Sequence, residues 1–413
     1  VIGRIKFSIE PLVREIVDSI PDGVFASTTT TFLDPAMGGG QFLAEIVRRL
    51  QEHGHSASNI RARVQGWESN PLSVAWVENH REIPATVACK TLDHVVELGV
   101  TQQFDVILGN PPYQYTREDG TRADKAKNLW SRFVHSSLQM LKPDGYLAMV
   151  VPNSWLSPSA DIGKGSSGTN FIRDWFTQGK LHAANIGECG RHFPAQNLAF
   201  SYFVYQNSPA DRWATQVVTE TERFTVDFRD CQYFPNRLSA TNIQILNRVL
   251  FGGYQTWGFV STNYRGMVKE FHPQGAYPVW HTSAKAGIRQ SHTPSDNHHQ
   301  HKVIVSSSSV YAPCYDAGTL SCSVMTMSCT FQDTVDLECV KSILSSKLYQ
   351  WVMEQTIYGG WVSYEAVRRL PVLDYTRIWT DTEIYQYFGL TPQEITEVER
   401  WCYEPGKHPR LRD

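Results

Sequence analysis

At 413 residues the chain exceeds the usual single domain, so two domains are expected, each able to bury its own core. A formal net charge of −3 excludes a protein that is basic overall, and so confines any phosphate contacts to a local cleft. The eight cysteines (Cys89, Cys189, Cys231, Cys314, Cys322, Cys329, Cys339, Cys402) form no C-x-x-C pair, which argues against a zinc site or a disulfide framework. With no apolar run of about 18 residues and no signal-peptide pattern, an intracellular chain with reduced thiols and no membrane span is expected.

From Ser8 to Asn207 strand and helix alternate, the signature of a mostly parallel sheet covered on both faces. Phe32-Leu33 leads into Asp34 and a glycine run, after which Phe42, Ile46, Val47 and Leu50 recur at helical spacing. Val64–Glu68 reads as a strand, followed by a helix that Asn70 caps and Pro71 opens. A further strand runs from Phe104 to Gly109. Trp130, Val134, Leu138 and Leu141 mark one helix face, and a Lys142-Pro143-Asp144-Gly145 turn feeds the strand Tyr146–Val151. Strands at Leu181–Gly187 and Leu198–Tyr205 bring the count to about seven.

Composition changes after Asn207-Ser208-Pro209, which sets domains at 1–207 and 208–413. Beyond it, His292, His298, His299 and His301 lie among Ser, Asn and Gln; with no cysteine or carboxylate at ligand spacing, a solvated loop is preferred to a metal site. A long helix is expected from Val335 to about Gln355 and a shorter one from Ser363 to Arg369. The small basic groups at Arg48-Arg49, Arg61/Arg63, Arg368-Arg369 and Lys407/Arg410/Arg412 read as solvated faces.

Two motifs carry chemistry. Asp34-Pro35-Ala36-Met37-Gly38-Gly39-Gly40 joins strand to helix through a turn whose glycines, Gly38 and Gly40 among them, let a ligand approach the backbone, while the next strand ends in Glu68-Ser69, where an acid can reach ribose hydroxyls. Asn110-Pro111-Pro112-Tyr113 closes the strand Phe104–Gly109 and places an amide, two rigid prolines and a flat aromatic at the sheet's carboxyl edge, where α/β folds bind ligands. Such a pocket suits a planar nucleophile.

In their order these blocks resemble the S-adenosylmethionine-dependent DNA adenine N6-methyltransferases with an Asn-Pro-Pro-Tyr motif, of the gamma-type, TaqI/Eco57I-like branch. The resemblance spans nearly all of the first 207 residues and takes in Asn128-Leu129-Trp130, Lys142–Tyr146, Val151–Leu156 and Ile186–Pro194. It implies a Rossmann-like α/β domain of about seven strands with a C-terminal α+β target-recognition domain. It also implies S-adenosyl-L-methionine held by Asp34, Pro35, Ala36, Gly38, Gly40, Glu68, Ser69 and Asn110, and catalysis by Asn110, Pro111, Pro112 and Tyr113 with Phe193 as a second aromatic beside the base. Phe193 also fits a plain core role. Lys90 stands where the family places an adenine-binding aspartate, so that Asp93 through a shifted turn or a backbone carbonyl is left for that contact, and Ser8–Val13 only loosely resembles the segment closing over the methionine end.

If the Asn110 oxygen and the Pro111 carbonyl accept hydrogen bonds from an exocyclic amine, its lone pair is directed at the sulfonium methyl and transfer is a direct displacement. A base inside a duplex must first be flipped out, with Tyr113 and Phe193 offsetting the unstacking. The resemblance therefore implies double-stranded DNA as partner, no metal, a monomer, and the cytoplasm of a bacterial or phage-infected cell. A free-standing modification enzyme is expected, since no nuclease block is evident. The loop Gln114–Lys127 is either a solvated loop or a segment that closes over substrate, and Tyr264, Arg265 and Lys285–Lys302 are candidates for base reading. The rival readings are an RNA adenine N6-methyltransferase, a protein glutamine N5-methyltransferase, and a catalytically silent nucleic-acid-binding subunit.

Overall fold

A computed structural model of the chain describes residues 10–91, 101–113, 129–156, 178–187, 189, 200–260, 266–282, 288–307, 313–358 and 361–403. The chain divides into two compact units, Val1–Asp230 and Cys231–Asp413.

In the first unit two helices, α1 (Glu10–Asp18) and α2 (Asp22–Ala26), precede strand β1 (Phe32–Asp34). There follow α3 (Gln41–Glu52), α4 (Ala57–Arg63), β2 (Val64–Glu68), α5 (Pro71–His80), β3 (Thr86–Cys89) and β4 (Phe104–Gly109). The unit continues with α6 (Leu129–Met140), β5 (Leu141–Pro152), β6 (Lys180–Ile186), β7 (Phe200–Gln206), β8 (Thr215–Val218) and β9 (Arg223–Val226). The sheet order is β3-β2-β1-β4-β5-β7-β6-β8-β9, parallel from β3 to β5, with β7 antiparallel between β5 and β6. This is the mostly parallel sheet expected from the alternating pattern, with the Rossmann-like form that the family resemblance implied, extended by the β8–β9 hairpin. Thr215–Val226 thus runs on from the first sheet, beyond the composition change at Asn207.

Helices on both faces explain why β4 and β5 read as unbroken apolar runs: Val106, Ile107, Leu108 and Leu147 to Val151 are all buried. From β1 the chain order runs one way through β2 to β3 and the other way to β4, so the topological switch point lies between β1 and β4. Helix α5 begins as its sequence dictates, with the Asn70 side chain accepting from Leu72 N at 3.0 Å and Pro71 in the first turn. The Lys142–Gly145 turn is instead a bulge within β5. Phe104 pairs with Leu141 and Val106 with Tyr146, Asp144 takes a φ of 60°, and Lys142 Nζ ties the bulge to Asp105 Oδ2 at 2.9 Å.

The second unit is α+β. His301–Ser306 is the middle strand of an antiparallel sheet with Cys314–Ala317 and Thr326–Thr330, and Arg289–Ser291, Tyr277–Trp280 and Ser321–Cys322 form another. Its core joins helix α7 (Ala240–Phe251) to Val303, Val305, Trp351 and Val352. The long helix expected at Val335–Gln355 is two helices, Leu337–Leu344 and Lys347–Gln355. Ser346 breaks it by capping the second, its hydroxyl accepting from Tyr349 N. The histidine segment is less solvated than its composition suggests: His298 is buried with Nδ1 2.9 Å from Ser321 Oγ and Asn297 is buried against Ser328, while His292 and His299 are exposed. Among the described residues no group of three or more His, Cys, Asp or Glu is placed to hold a metal ion, and no helix is long and apolar enough to cross a membrane.

Candidate active site

The ends of β1, β2 and β4 bring Asp34, Glu68 and Asn110 to one edge of the sheet at the switch point. Glycines determine how closely they approach. A Cβ on Gly109 would lie 2.7 Å from Asp34 Oδ1 and 3.7 Å from Pro35, so only glycine lets the residue before Asn110 sit against the cofactor-type turn. Gly38 and Gly40 have φ of 52° and 73°, and Gly40 occupies the N-cap of α3 without a capping side chain. The turn is fastened from several sides: Met37 N donates to Trp67 O at 2.9 Å, Gly40 N to Met37 O at 2.7 Å, and Gly38 N to Glu68 Oε2 at 3.1 Å. The other carboxylate oxygen of Glu68 accepts from Asn70 N at 3.0 Å and Ser69 Oγ at 3.2 Å.

Asp34 is 1 % exposed and its Oδ1 accepts from Ala36 N at 3.0 Å. Burial pushes its pKa up to about 8 against that one hydrogen bond, and the charge of Glu68 adds to the rise. The sign follows. Below the unfolded pKa near 3.8 both states hold the proton. As pH rises toward 8 only the unfolded carboxyl ionises, so this contribution to stability is progressively lost, at up to about 1.4 kcal/mol per pH unit. Asp34→Asn should match the wild type below about pH 4 and melt at an increasingly higher temperature as pH rises to about 8. Parallel melting curves across that range would rule out a buried, proton-holding Asp34. For the same reason a bound cation favours the ionised carboxylate, so cation affinity should rise with pH through the same window.

At the other motif, Tyr113 OH donates to Asn110 Oδ1 at 2.6 Å and its ring packs on Phe200 with centroids 4.8 Å apart. Burial raises the Tyr113 pKa far above its ordinary value, so the hydroxyl keeps its proton and acts as a donor. Pro111 is buried and Pro112 half-buried, which fixes the backbone leading to Tyr113, whose carbonyl accepts from Leu129 N at 3.1 Å. Lys90 extends over Trp67, its Nζ 4.4 Å from the ring, while its backbone N donates to Glu68 O at 3.0 Å. Phe193, Asp93, the loop Gln114–Lys127, Tyr264, Arg265 and Lys285 lie outside the described residues.

Glu15 was not legible as part of this edge. From α1 its carboxylate accepts from Asn185 Nδ2 and Tyr202 OH, both at 2.8 Å, and Asn185 Oδ1 in turn accepts from Cys189 N at 3.0 Å. No local signal marks a contact spanning so much sequence.

Comparisons with known proteins agree with this architecture. Residues 52–169, which include Glu68 and Asn110–Tyr113, match the family model described as Eco57I restriction-modification methylase. An uncharacterized adenine-specific methylase of Mycoplasma pneumoniae is 32% identical over 113 residues, covering 26% of this chain and 24% of that protein. Among solved structures, a nuclease-deletion mutant of the Type ISP restriction-modification enzyme LlaGI, in complex with a DNA substrate mimic, has a TM-score of 0.53 at 11% identity, covering 90% of this chain and 53% of that one. The DrdV–DNA complex has a TM-score of 0.50 at 10% identity, covering 90% and 56%. The chain thus spans a quarter of the curated relative and about half of each structural neighbour. The fold is that of Rossmann-like methyltransferases, and the segment carrying Glu68 and Asn110–Tyr113 is similar in sequence to the Eco57I restriction-modification methylases.

Proposed function

We propose that this chain is the modification part of a restriction-modification system, a site-specific DNA methyltransferase acting on the N6 amine of an adenine flipped from the duplex. The observation that carries the reading is the juxtaposition at Gly109. The carboxylate-bearing glycine turn and the Asn-Pro-Pro-Tyr pocket meet there at the switch point, with Asp34 Oδ1 2.7 Å from where a Cβ would stand. The family match and the adenine-specific relative support the substrate.

The residues present fit S-adenosyl-L-methionine. Two carboxylates bracket a glycine cradle, and burial, with the charge of Glu68 adding to it, raises the pKa of Asp34, so a ligand with sulfonium and ammonium charge suits the pair. Asp34, Pro35, Ala36, Gly38, Gly40, Glu68 and Ser69 would hold it. When bound, the cofactor supplies an electrophilic methyl group.

The chain's own residues prepare the nucleophile. Asn110 Oδ1 accepts from Tyr113 OH at 2.6 Å, and an amide oxygen, with two lone pairs, can take the exocyclic amine as a donor as well. With the Pro111 carbonyl as second acceptor, the amine nitrogen is drawn out of conjugation and its lone pair exposed. Once methylated, the amine would carry a positive charge and release its proton to solvent, so no histidine base is required. Tyr113, and Phe193 on the other side, would cover the base faces, and the second unit would select the sequence on double-stranded DNA in the cytoplasm.

Expressing the protein in a host without adenine methylation and mapping N6-methyladenine on its DNA tests this reading. Modified adenines within one short sequence context are expected. Unmodified DNA alongside methylated RNA or protein would overturn it.

A further inference from the structure

We propose that Arg81 is a positioning residue for the cofactor turn, fixing the peptide between Gly39 and Gly40 and thereby setting affinity for S-adenosylmethionine without touching the reacting groups. The inference rests on the cofactor reading above. Arg81 belongs to none of the motifs; it is the residue at the C-cap of α5, and its Nε donates to Gly39 O at 2.9 Å.

The turn lies along α5. Glu68, just before that helix, holds Gly38 N at 3.1 Å. Both γ-carbons of Val77 come within 3.3 Å of where a Gly40 Cβ would stand, and Arg81 Cγ within 4.0 Å. The guanidinium is steadied by Trp76, 5.8 Å from its ring centroid.

A peptide flanked by two glycines has no Cβ on either side to restrict its rotation. Its plane is therefore set by what its two polar groups bond. The N–H of Gly40 donates to Met37 O at 2.7 Å, and the carbonyl of Gly39 receives the charged Arg81. Removing Arg81 deletes the stronger, charge-assisted restraint on the carbonyl and lets the plane rotate. The next residue, Gln41, begins α3, so rotation also disturbs the start of that helix. Arg81 bonds the Gly39 carbonyl, whereas the pocket is held by a separate bond from Tyr113 OH to Asn110 Oδ1, so the expected effect falls on the turn.

The test is calorimetric titration of S-adenosylmethionine into the full chain, with steady-state kinetics beside it. Arg81→Ala should weaken binding about tenfold and raise KM for the cofactor by about the same factor, while kcat at saturation stays within about twofold. Arg81→Lys, which keeps the charge but not the planar fork, should fall between. If Arg81→Ala does not fold, the lysine variant is compared with wild type instead, and a rise in Kd of about threefold is expected. Wild-type affinity in the variants, or a lower kcat at unchanged KM, overturns the proposal. Failure of the unaltered chain to bind the cofactor overturns the cofactor reading, and the proposal with it, and is told apart because it needs no variant.

Discussion

Asn110→Ala is expected to lower kcat for adenine methylation by at least about 10³-fold while cofactor affinity stays within about threefold. Alanine removes the side-chain acceptor proposed for the amine and does not alter the residues of the Asp34–Gly40 turn. Tyr113 supplies the control. Its hydroxyl donates to the same Oδ1 at 2.6 Å, so Tyr113→Phe removes a competitor for that oxygen but keeps the ring packed at 4.8 Å from Phe200. The phenylalanine variant should keep kcat within about tenfold of wild type, whereas Tyr113→Ala, which also loses the stacking surface, should fall further. More than a tenth of wild-type kcat in Asn110→Ala would remove Asn110 from the chemistry. Weakened cofactor binding as the main defect would instead move it to the cofactor site.

Asp316→Ala should destabilise the second unit by about 3–5 kcal/mol, the cost typical of stripping one partner from a buried ion pair. Lys302 is 0 % exposed and Asp316 3 %, with Nζ and Oδ2 2.6 Å apart. The ammonium also donates to the carbonyls of His298 and Gln300 at 3.0 Å each, and the carboxylate accepts from Thr319 N, Thr319 Oγ1 and Leu320 N. Burial opposes ionisation of Asp316, but Lys302 and the Thr319 and Leu320 donors outweigh it and hold its pKa below the ordinary value. Its contribution is therefore present above the unfolded pKa and lost only as pH falls through the lower folded value. Lys302→Met combined with Asp316→Leu should recover most of the loss, since a matched apolar pair avoids desolvating two charges. Denaturant unfolding followed by tryptophan fluorescence measures both. A loss below about 1 kcal/mol in Asp316→Ala would place it with exposed ion pairs.

The pair also shows why part of the fold was not legible. Lys302 stands in a polar, histidine-bearing stretch, and nothing local marks it as buried; it is enclosed because Asp316 lies opposite it on the neighbouring strand. The same holds for β8 and β9, short strands whose residues alternate weakly and which join the first sheet through the pairing of β8 with β6. The helix break at Ser346 was written locally, but a serine inside an apolar period reads as an ordinary surface position.

By itself the sequence determined the elements whose information is local: the buried apolar strands β4 and β5, the Asn70-Pro71 start of α5, the glycine turn after β1, and an amide-proline-aromatic motif at the end of β4. Each follows from hydrophobic period, capping chemistry or backbone freedom over a few residues. Tertiary structure decided which of these ends meet. It set Gly109 against Asp34, turned Tyr113 OH onto Asn110, and brought Arg81 to the Gly39 carbonyl. Those contacts depend on strand order and on which helix lies over which turn, and these are settled by packing whole elements together rather than by any neighbour in the chain.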